Sequence, residues 1–579
     1  MSLNQVDCYK YLVLELESVK NKKRDLDLNT VKFDIQLELE EKYLESQVMY
    51  TDGAKSVNGG GAAFYVPTNK KKGTMRFSKC FKTSPIMCIM SSELIAISEA
   101  LSNVQLKLQW IPSHVGLKGN EEADILAKRG ITEGQEMNIL PCYSEFLFKY
   151  KLKCAQMWDE YFDMRSREKG ICLRFPGVPF TAKESHAVKG LVNSLGIIAR
   201  RHTRAPEDAE CVRLVREKGA IPVAITNVPE INKWQETRNM LYGQTNNPYH
   251  TGRTTGGSSG GEAALAAALA SPISLCSDIG GSTRMPAFYC GLYALNPTAG
   301  YTSLKGSALR SGLEPTMASI GFVSKHCEDL APLTKIVLAD NAKEFDFERK
   351  INVKDVKFFY TESAQDLRVG PVCKDLRKAM SEVIKKLTEE APSTDKVPMA
   401  YYHEGFDHMF SIWKHGMSKE ADSFPKMLAN NNGEAKAFVE LGKKLIGQSQ
   451  FTMAAIMKLF DDQVLPQVNA EWAEKLTNDL KNDLIKTLGT DGVLLFPSAP
   501  RPAPYHYSLL LRPFSFAYWG VFNALHCPAA QVPLGLNSDG IPLGLQVVAA
   551  PKQEALCLAV ADHLGKTFGG YVPPCQIYS

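Results

Sequence analysis

The sequence lacks a large net charge, a long apolar run and any closely spaced cysteine pair. Its 579 residues carry a formal net charge of only +4, so the whole chain is not a polybasic binder of nucleic acid or anionic membranes. No stretch approaches the roughly 18 apolar residues of a membrane-spanning helix, and no apolar signal segment opens the sequence. The 14 cysteines are dispersed without a CxxC pair, which is typical of reduced thiols. We therefore expect an intracellular protein, either cytoplasmic or peripherally associated with membranes.

The composition is that of an ordinary globular protein, with 44% hydrophobic and 22% charged residues. At roughly 150 residues per domain, the length predicts two to four domains. From about residue 171 onward, short apolar runs alternate with helical patterns, which indicates an α/β fold. The predicted strands are Ile221–Ile225, Ile273–Cys276, Val493–Phe496 and Leu543–Val548.

Two glycine loops that carry serines give the strongest chemical signal. Gly256–Glu262 reads GGSSGGE and precedes an alanine-rich helical segment, Glu262–Ala270. A second loop, DIGGSTRMP, spans Asp278–Pro286. Glycine lets backbone N–H groups crowd around a small anionic centre, and a tetrahedral oxyanion requires such donors. The loops therefore indicate a hydroxyl nucleophile, and such a nucleophile needs a base.

The base indicated by the sequence is a lysine. None of the 11 histidines sits in a strand-end motif with an acidic partner, whereas Phe175–Glu184 reads as a turn into a short strand that ends at Lys183. A desolvated lysine is neutral near pH 7 and acts as a base. A GGSSGG run alone is also typical of a flexible linker, with Lys183 at the surface. The three elements in this order favour a catalytic site.

These motifs resemble the amidase signature family. The resemblance rests on GVPFTAK, GGSSGGE and DIGGSTRMPA, and it extends to Thr226–Glu230, Tyr242–Tyr249, Cys527–Pro533 and Gly540–Val548. It covers about residues 171–579 and is strongest toward the fatty-acid amide hydrolases. It implies an α/β fold with a mixed β-sheet flanked by helices, and an enzyme that needs no cofactor.

The resemblance also implies a Ser-cis-Ser-Lys mechanism. Ser282 would attack the amide or ester carbonyl, and Ser258, after a cis peptide bond from Gly257, would relay the proton. Lys183 would be the final base. The oxyanion would be held by backbone N–H groups, and two flanking side chains would either brace the loop or form a plain structural ion pair. The oxyanion-hole residues are Ile279, Gly280, Gly281 and Ser282, and the flanking residues are Asp278 and Arg284.

The substrate implied by the resemblance is a small lipid amide, with peripheral membrane contact as a further expectation. Aromatic residues could line a tunnel for its acyl chain, or they could be ordinary core residues. The residues concerned are Trp234, Phe410–Trp413 and Phe514–Phe522.

The N-terminal third resembles type 1 ribonuclease H of non-LTR retrotransposons. The resemblance rests on a strand, turn and strand across Val48–Val66 and on the run WIPSHVG…GNEEAD that begins at Trp110. It implies that Asp52, Glu93 and Asp124 are three of the four carboxylates of a two-Mg²⁺ site. The fourth, an aspartate on a middle strand, is missing, because no aspartate lies between Asp52 and Asp124. We therefore expect an incomplete, poorly folded and inactive α/β fragment that does not have nucleic acid as a partner and that needs Mg²⁺ only if it is functional.

The sequence thus predicts four segments and a hydrolase. The leading hypothesis is a serine hydrolase that cleaves amide bonds, with an RNA–DNA hybrid ribonuclease as the alternative. A catalytically inactive chimera is a further alternative, because the helices that usually precede the lysine strand in the amidase family are missing. The segments are a charged lead-in (1–45), a ribonuclease H-like remnant (46–135), a helical connector (136–170) and an amidase domain (171–579).

Overall fold

The computed structural model describes four strands before residue 137, and then residues 175, 177–421 and 423–574. The chain divides into two compact units, Met1–Arg165 and Ser166–Ser579. Several predicted elements lie outside the described residues. They are the helices Ser92–Leu101 and Asn120–Arg129 and the strand Leu106–Ile111. The structure describes only Glu136 of the predicted connector 136–170, and the rest of that connector lies outside the described residues.

The described part of the first unit is a four-stranded sheet in the order β1-β2-β3-β4. The first three strands form an antiparallel meander, and β4 pairs parallel to β3. The predicted strand–turn–strand is confirmed at the level of the backbone. Asp52 lies on β1 opposite Ala63 of β2, whereas Glu93 and Asp124 lie outside the described residues. The strands are β1 (Tyr50–Ser56), β2 (Gly59–Val66), β3 (Phe77–Thr83) and β4 (Gln135–Glu136).

The second unit is built on a ten-stranded mixed sheet in the order β15-β14-β16-β18-β17-β12-β13-β11-β5-β6. The β6-β5-β11 end is parallel, and the middle of the sheet is antiparallel. The strands of this sheet are β5 (Pro179–Lys183), β6 (Ile221–Thr226), β11 (Ile273–Asp278), β12 (Tyr293–Asn296), β13 (Ser319–Ser324), β14 (Lys357–Tyr360), β15 (Met399–Ala400), β16 (Gly492–Pro497), β17 (Ala529–Leu536) and β18 (Pro542–Ala549). Two separate two-stranded sheets pair β7 (Arg238–Asn239) with β8 (Gly243–Gln244) and β9 (Asn246–Asn247) with β10 (His250–Thr254).

Helices follow or connect the strands of this sheet. The α-helices of the described residues are α1 (Glu210–Glu217), α2 (Gly260–Ala267), α3 (Arg284–Tyr289), α4 (Leu330–Leu338), α5 (Lys374–Glu390), α6 (Met409–Ser418), α7 (Phe424–Leu428), α8 (Ala437–Leu445), α9 (Met453–Gln463), α10 (Ala470–Leu488), α11 (Ala517–Ala524) and α12 (Glu554–Phe568). Short 3-10 turns cover Ile198–Arg200, Glu230–Asn232, Cys327–Asp329, Ala339–Glu344, Val353–Asp355, Thr394–Lys396, Glu404–His408 and Ser508–Leu511.

Both faces of the sheet are covered by apolar side chains. Along β16, Val493 and Leu495 belong to one buried cluster, whereas Leu494 and Phe496 belong to another. Successive side chains of a strand point to opposite faces, so the two clusters are the two sides of the sheet. This explains why the central strands are continuous apolar runs rather than alternating ones.

The predicted elements of this unit agree with the structure to within a few residues. β5 ends at Lys183 as predicted, and β11 runs two residues past Cys276 to Asp278. The helix predicted to reach Ala270 ends at Ala267, because Leu269 has a φ of 62°, which is incompatible with a right-handed helix. Since β5 and β11 are parallel neighbours, their carboxyl ends meet at one edge of the sheet.

Candidate active site

Lys183 lies at that edge and is almost fully buried, with 1% of its surface exposed. Its Nζ donates to Oγ of Ser258 at 2.7 Å and to Oγ of Ser277, on the neighbouring strand β11, at 3.2 Å. Burial lowers the pKa of Lys183 to about 8, against the opposing influence of acidic groups at Cys276 and Asp278. At pH 7 about a tenth of this lysine is therefore neutral, far more than of an exposed lysine.

The loop that carries Ser258 is packed tightly against its neighbours. The peptide bond between Gly257 and Ser258 is cis, as the resemblance implies. A Cβ on Gly257 would collide with the carbonyl oxygen of Trp234. The hydroxyl of Thr237 donates to the carbonyl of Gly256 at 2.9 Å and accepts from the N–H of Gly260 at 3.0 Å. Thr237 thus fixes both ends of the turn that presents Ser258.

The loop that carries Ser282 lies directly beside the first. The N–H of Ser259 donates to the carbonyl of Ser282 at 3.1 Å, so the two serine loops are joined by a backbone hydrogen bond. Gly281 has a φ of 101°, and a Cβ there would lie 2.5 Å from Cβ of Trp519. Only glycine combines this backbone conformation with so close a neighbour.

A buried ion pair braces this second loop. Nε and Nη2 of Arg284 each donate to the carboxylate of Asp278 at 3.1 Å, and neither side chain is exposed. The Asp278 carboxylate also accepts from the N–H groups of Gly281 and Thr283. Burial alone would raise the pKa of Asp278, but the Arg284 charge and these hydrogen bonds hold it below its usual value. Asp278 and Arg284 therefore form an ion pair that also fixes the conformation of the loop.

The backbone N–H groups of the predicted oxyanion hole differ in their availability. The N–H of Gly281 already donates to Asp278 at 2.6 Å. Within the described residues, the N–H groups of Ile279, Gly280 and Ser282 have no acceptor. Nε1 of Trp413 donates to the carbonyl of Ile279 at 2.9 Å, which holds the start of the loop. Three donors thus remain available for a developing negative charge.

Two cavities meet at Ser282. The larger has a volume of about 360 Å³, and its walls include Ser282, Gly280 and many apolar side chains. The smaller, of about 50 Å³, includes Lys183, Ser258 and Ser282 in its walls. The structure therefore places the two serines and the lysine around a small cavity that shares Ser282 with the larger apolar one.

The aromatic residues singled out in the sequence occupy the core and the wall of the larger cavity. Tyr518, Trp519 and Phe522 are fully buried in the apolar core. The other aromatics line the larger cavity, and two of these, Phe410 and Trp413, also belong to the buried core cluster. The aromatics on the cavity wall are Trp234, Phe410, Trp413, Phe514 and Phe516.

The role of Glu262 was not identified from the sequence. This residue hydrogen-bonds to the strand that carries the lysine and to the strand beside it. Its buried carboxylate accepts from the hydroxyls of Thr181 on β5 and Thr226 on β6. Burial raises the pKa of Glu262 to about 7, although the bonds from both threonines oppose this shift. Glu262 closes the GGSSGGE motif, and this was the signal that could have found it. The bracing contacts of Thr237 and Trp413 carry no local sequence signal, because each residue lies far along the chain from the loop that it holds.

The fold and this site define a hydrolase class that recurs among known proteins. The Amidase family model matches residues 135–558, and the chain belongs to this family. Fatty-acid amide hydrolase 2 of Homo sapiens is 38% identical over 411 residues, which are 69% of this chain and 76% of that protein. The solved peptide amidase of Stenotrophomonas maltophilia shares the fold with a TM-score of 0.53, at 17% identity over 71% of this chain and 87% of its own. A solved fatty acid amide hydrolase does so with a TM-score of 0.52, at 20% identity over 73% and 78%.

Membership of the family makes this chain an amidase signature serine hydrolase that acts on carbon–nitrogen amide bonds. Amidases of this family need no cofactor. Among residues 177–574 apart from 422, no helix combines the length and apolar character needed to cross a membrane.

Proposed function

We propose that this enzyme hydrolyses fatty-acid amides with Ser282 as nucleophile, Ser258 as proton relay and Lys183 as base. The observation that carries the proposal is the 2.7 Å contact between Lys183 and Ser258, buried beside Ser282 where the two cavities meet. A base must lie within hydrogen-bond reach of the proton that it takes.

The proposed reaction begins with neutral Lys183. It takes the proton of Ser258 as Ser258 takes that of Ser282, and Oγ of Ser282 bonds to the carbonyl carbon of the amide. The oxyanion accepts hydrogen bonds from Ile279 and Gly280 and from the N–H of Ser282. The proton returns through Ser258 to the amine nitrogen as the C–N bond breaks. Water then hydrolyses the acyl-enzyme along the same proton path.

The proposed substrate places its acyl chain in the larger cavity and its amine in the smaller one. The aromatic wall of the larger cavity suits a hydrocarbon chain, and burial of each methylene contributes about 0.8 kcal/mol. The similarity to fatty-acid amide hydrolase 2 supports the same substrate class. Hydrolysis should therefore become more efficient as the acyl chain lengthens, until the chain fills the cavity.

We propose peripheral contact of this enzyme with lipid through α8. Phe438 and Val439 are 69% and 50% exposed, and Leu445 and Ile446 at the other end of α8 are 79% and 67% exposed. Phe438 also packs edge-on against Phe460 of α9, which lines the larger cavity. Co-sedimentation with phospholipid vesicles tests this contact. It should be reduced in Phe438→Ser/Ile446→Ser, and binding that is unchanged in this variant would contradict it.

For the N-terminal unit, we propose an inactive ribonuclease H-like remnant at 46–135, ahead of a connector at 136–170 and the amidase domain at 171–579. The missing fourth aspartate supports this proposal, because a two-metal site that lacks a ligand loses charge stabilisation at the leaving oxygen. We therefore expect nucleic acid not to be a partner. Mg²⁺-dependent cleavage of an RNA–DNA hybrid that is lost in Asp52→Asn would overturn this.

Fluorophosphonate labelling of the full chain tests the catalytic proposal. The wild type should be labelled, Ser282→Ala should not be, and Lys183→Ala should be labelled far more slowly. Hydrolysis of a long-chain primary amide should follow the same order. A monodisperse wild-type protein that is not labelled would mean that the site is not catalytically assembled.

A further inference from the structure

A cluster of four charged side chains contributes two of its members to the otherwise largely apolar wall of the larger cavity. Lys458 and Asp461, both on α9, line this cavity. Nζ of Lys458 lies 2.7 Å from Asp461 and also pairs with Asp462. Lys414 of α6 pairs with Asp461 at 3.0 Å. This charged cluster of Lys414, Lys458, Asp461 and Asp462 takes no part in the proposed proton path.

The cluster is mostly withdrawn from solvent. The side chains of Lys414, Lys458 and Asp461 are 10%, 13% and 14% exposed, and that of Asp462 is 26% exposed. Charges at such depth are costly unless they are paired and hydrogen-bonded. An apolar chain that packs against them would remove their remaining hydration without replacing it. A purely hydrocarbon ligand is therefore a poor match for this part of the wall.

The cluster retains hydrogen-bonding capacity beyond its own contacts. An ammonium group has three N–H donors, and within the described residues Nζ of Lys458 donates to two acceptors, Asp461 and Asp462. One donor of Lys458 is therefore left for a ligand. The carboxylates of Asp461 and Asp462 each have lone pairs beyond those already used, so the cluster can also accept a hydrogen bond.

The formal charges of the cluster cancel, since two lysines face two aspartates. An anionic group would add an unpaired charge to this neutral cluster, whereas an uncharged hydroxyl can both accept from Lys458 and donate to a carboxylate. We propose that Lys458 and Asp461 form a subsite for a hydroxyl group carried on the acyl chain of the substrate. This inference rests on the proposed function, because it takes the larger cavity to be the acyl site.

The test compares primary fatty amides with their hydroxylated counterparts of equal chain length, with the hydroxyl placed in turn along the chain. The measured quantity is the ratio of kcat/KM for each hydroxylated amide to that for the unsubstituted amide. For at least one position, the wild type should favour the hydroxylated amide. In Lys458→Met, which keeps an apolar side chain of similar length, this ratio should fall by about tenfold. Lys458→Arg should restore most of it.

A matched control is Lys419→Met. Lys419 lies at the end of α6 and pairs with Glu474 at 3.1 Å, and both side chains are more than half exposed. Its ratio should equal that of the wild type. If the ratio is the same in wild type and Lys458→Met at every hydroxyl position while both amides are hydrolysed, the subsite proposal alone is overturned. If the wild type hydrolyses neither amide and is not labelled by fluorophosphonate, the proposed function fails and the subsite with it.

Discussion

Lys183 shows how a single buried residue acquires a chemistry that its type does not ordinarily have. An exposed lysine is charged at neutral pH. Lys183, in contrast, is the buried last residue of a strand, and its amine contacts two serine hydroxyls. Those hydroxyls accept hydrogen bonds from the amine without adding a negative charge. Burial is therefore the dominant influence on the pKa, and it favours the neutral amine.

The first prediction concerns the pH dependence of kcat/KM. Because the base form of Lys183 is the deprotonated one and its pKa is about 8, kcat/KM for a primary amide should rise with pH and level off above that value. Lys183→Met should lower kcat/KM by roughly 10²–10⁴. It should also abolish the inflection. The neighbouring His186 does not titrate in this range, because burial lowers its pKa to about 3.

Glu262 provides the control for this profile, since burial raises its pKa to about 7. Glu262→Gln should keep the inflection of Lys183 and move it slightly to lower pH, because the Glu262 charge raises the pKa of Lys183. An inflection that survives in Lys183→Met and disappears in Glu262→Gln would assign the titration to the carboxyl and contradict the role proposed for the lysine.

The second prediction concerns the buried pair of Asp278 and Arg284. Removal of the arginine leaves a fully buried carboxylate without its counter-charge, at a cost of roughly 3–5 kcal/mol. Arg284→Met should therefore lower the free energy of unfolding, measured in urea, by about this amount. Arg213→Met is the matched control, because Arg213 pairs with Glu210 and Glu217 on an exposed helix face. Its effect should stay below about 1 kcal/mol, and equal effects of the two substitutions would contradict the argument.

At the scale of elements, the site depends on turns that only glycine can make. The loop from β11 to α3 reverses within a few residues so that the Asp278 carboxylate can accept the N–H groups of Gly281 and Thr283. Gly281 must take a φ of 101° for this, and Trp519 of α11 fills the space beside it. The loop conformation is thus fixed both by hydrogen bonds and by a packed aromatic ring.

The third prediction compares two glycine substitutions. In Gly281→Ala, the new Cβ would collide with Trp519, and the alanine would have to adopt a backbone conformation that is disfavoured for it. Fluorophosphonate labelling should therefore be lost. Gly442→Ala lies within α8, where a Cβ would meet no atom within 4 Å. It should leave labelling intact and stabilise the protein by about 0.5–1 kcal/mol through helix propensity. Thermal unfolding and labelling of both variants check this, and a labelled Gly281→Ala protein would show that the loop tolerates rearrangement.

The elements that the sequence could predict differ from those it could not in how many positions along the chain separate the residues in contact. The strand ending at Lys183 and the glycine loops are local patterns, and so they were found. The hydrogen bond from Trp413 to Ile279 spans 134 positions, and the contact of Gln235 with Pro513 spans 278. Such partners are chosen by the topology of the ten-stranded sheet, which no local periodicity encodes. Lys458 and Asp461 likewise look like an ordinary helix-surface pair until α9 is placed over the cavity.

At the scale of the whole second unit, Glu184, Glu230 and Glu262 are among the glutamates that are buried where charge is disfavoured. Each accepts hydrogen bonds that join distant segments. Glu184 accepts from the N–H groups of Ser194 and Leu195, Glu230 from Thr452 at the start of α9, and Glu262 from β5 and β6. Burial raises the pKa of each of the three glutamates to about 7, although the hydrogen bonds they accept oppose this shift.

The last prediction follows from the sign of these shifts. A carboxyl whose pKa is higher in the folded than in the unfolded state makes the folded protein bind more protons between the two values. Its contribution to stability is complete below the unfolded value of 4.5 and is lost as pH rises to about 7. Glu230→Gln has no titrating group at this position, so the variant should not lose this contribution to stability as pH rises. The difference in unfolding free energy between wild type and variant should thus change by up to roughly 3 kcal/mol across this window.

Glu230 is the most informative of the three, because it lies outside the proposed proton path and ties the turn at 230–232 to α9. A glutamine there also loses one acceptor for Thr452, but this cost is independent of pH and shifts the whole curve of the variant without changing its slope. Urea unfolding at a series of pH values separates the two effects. Parallel curves for wild type and Glu230→Gln would contradict the prediction. They would mean that the hydrogen bonds from Thr452 fully offset the burial of the carboxyl, so that its pKa is the same in the folded and unfolded states.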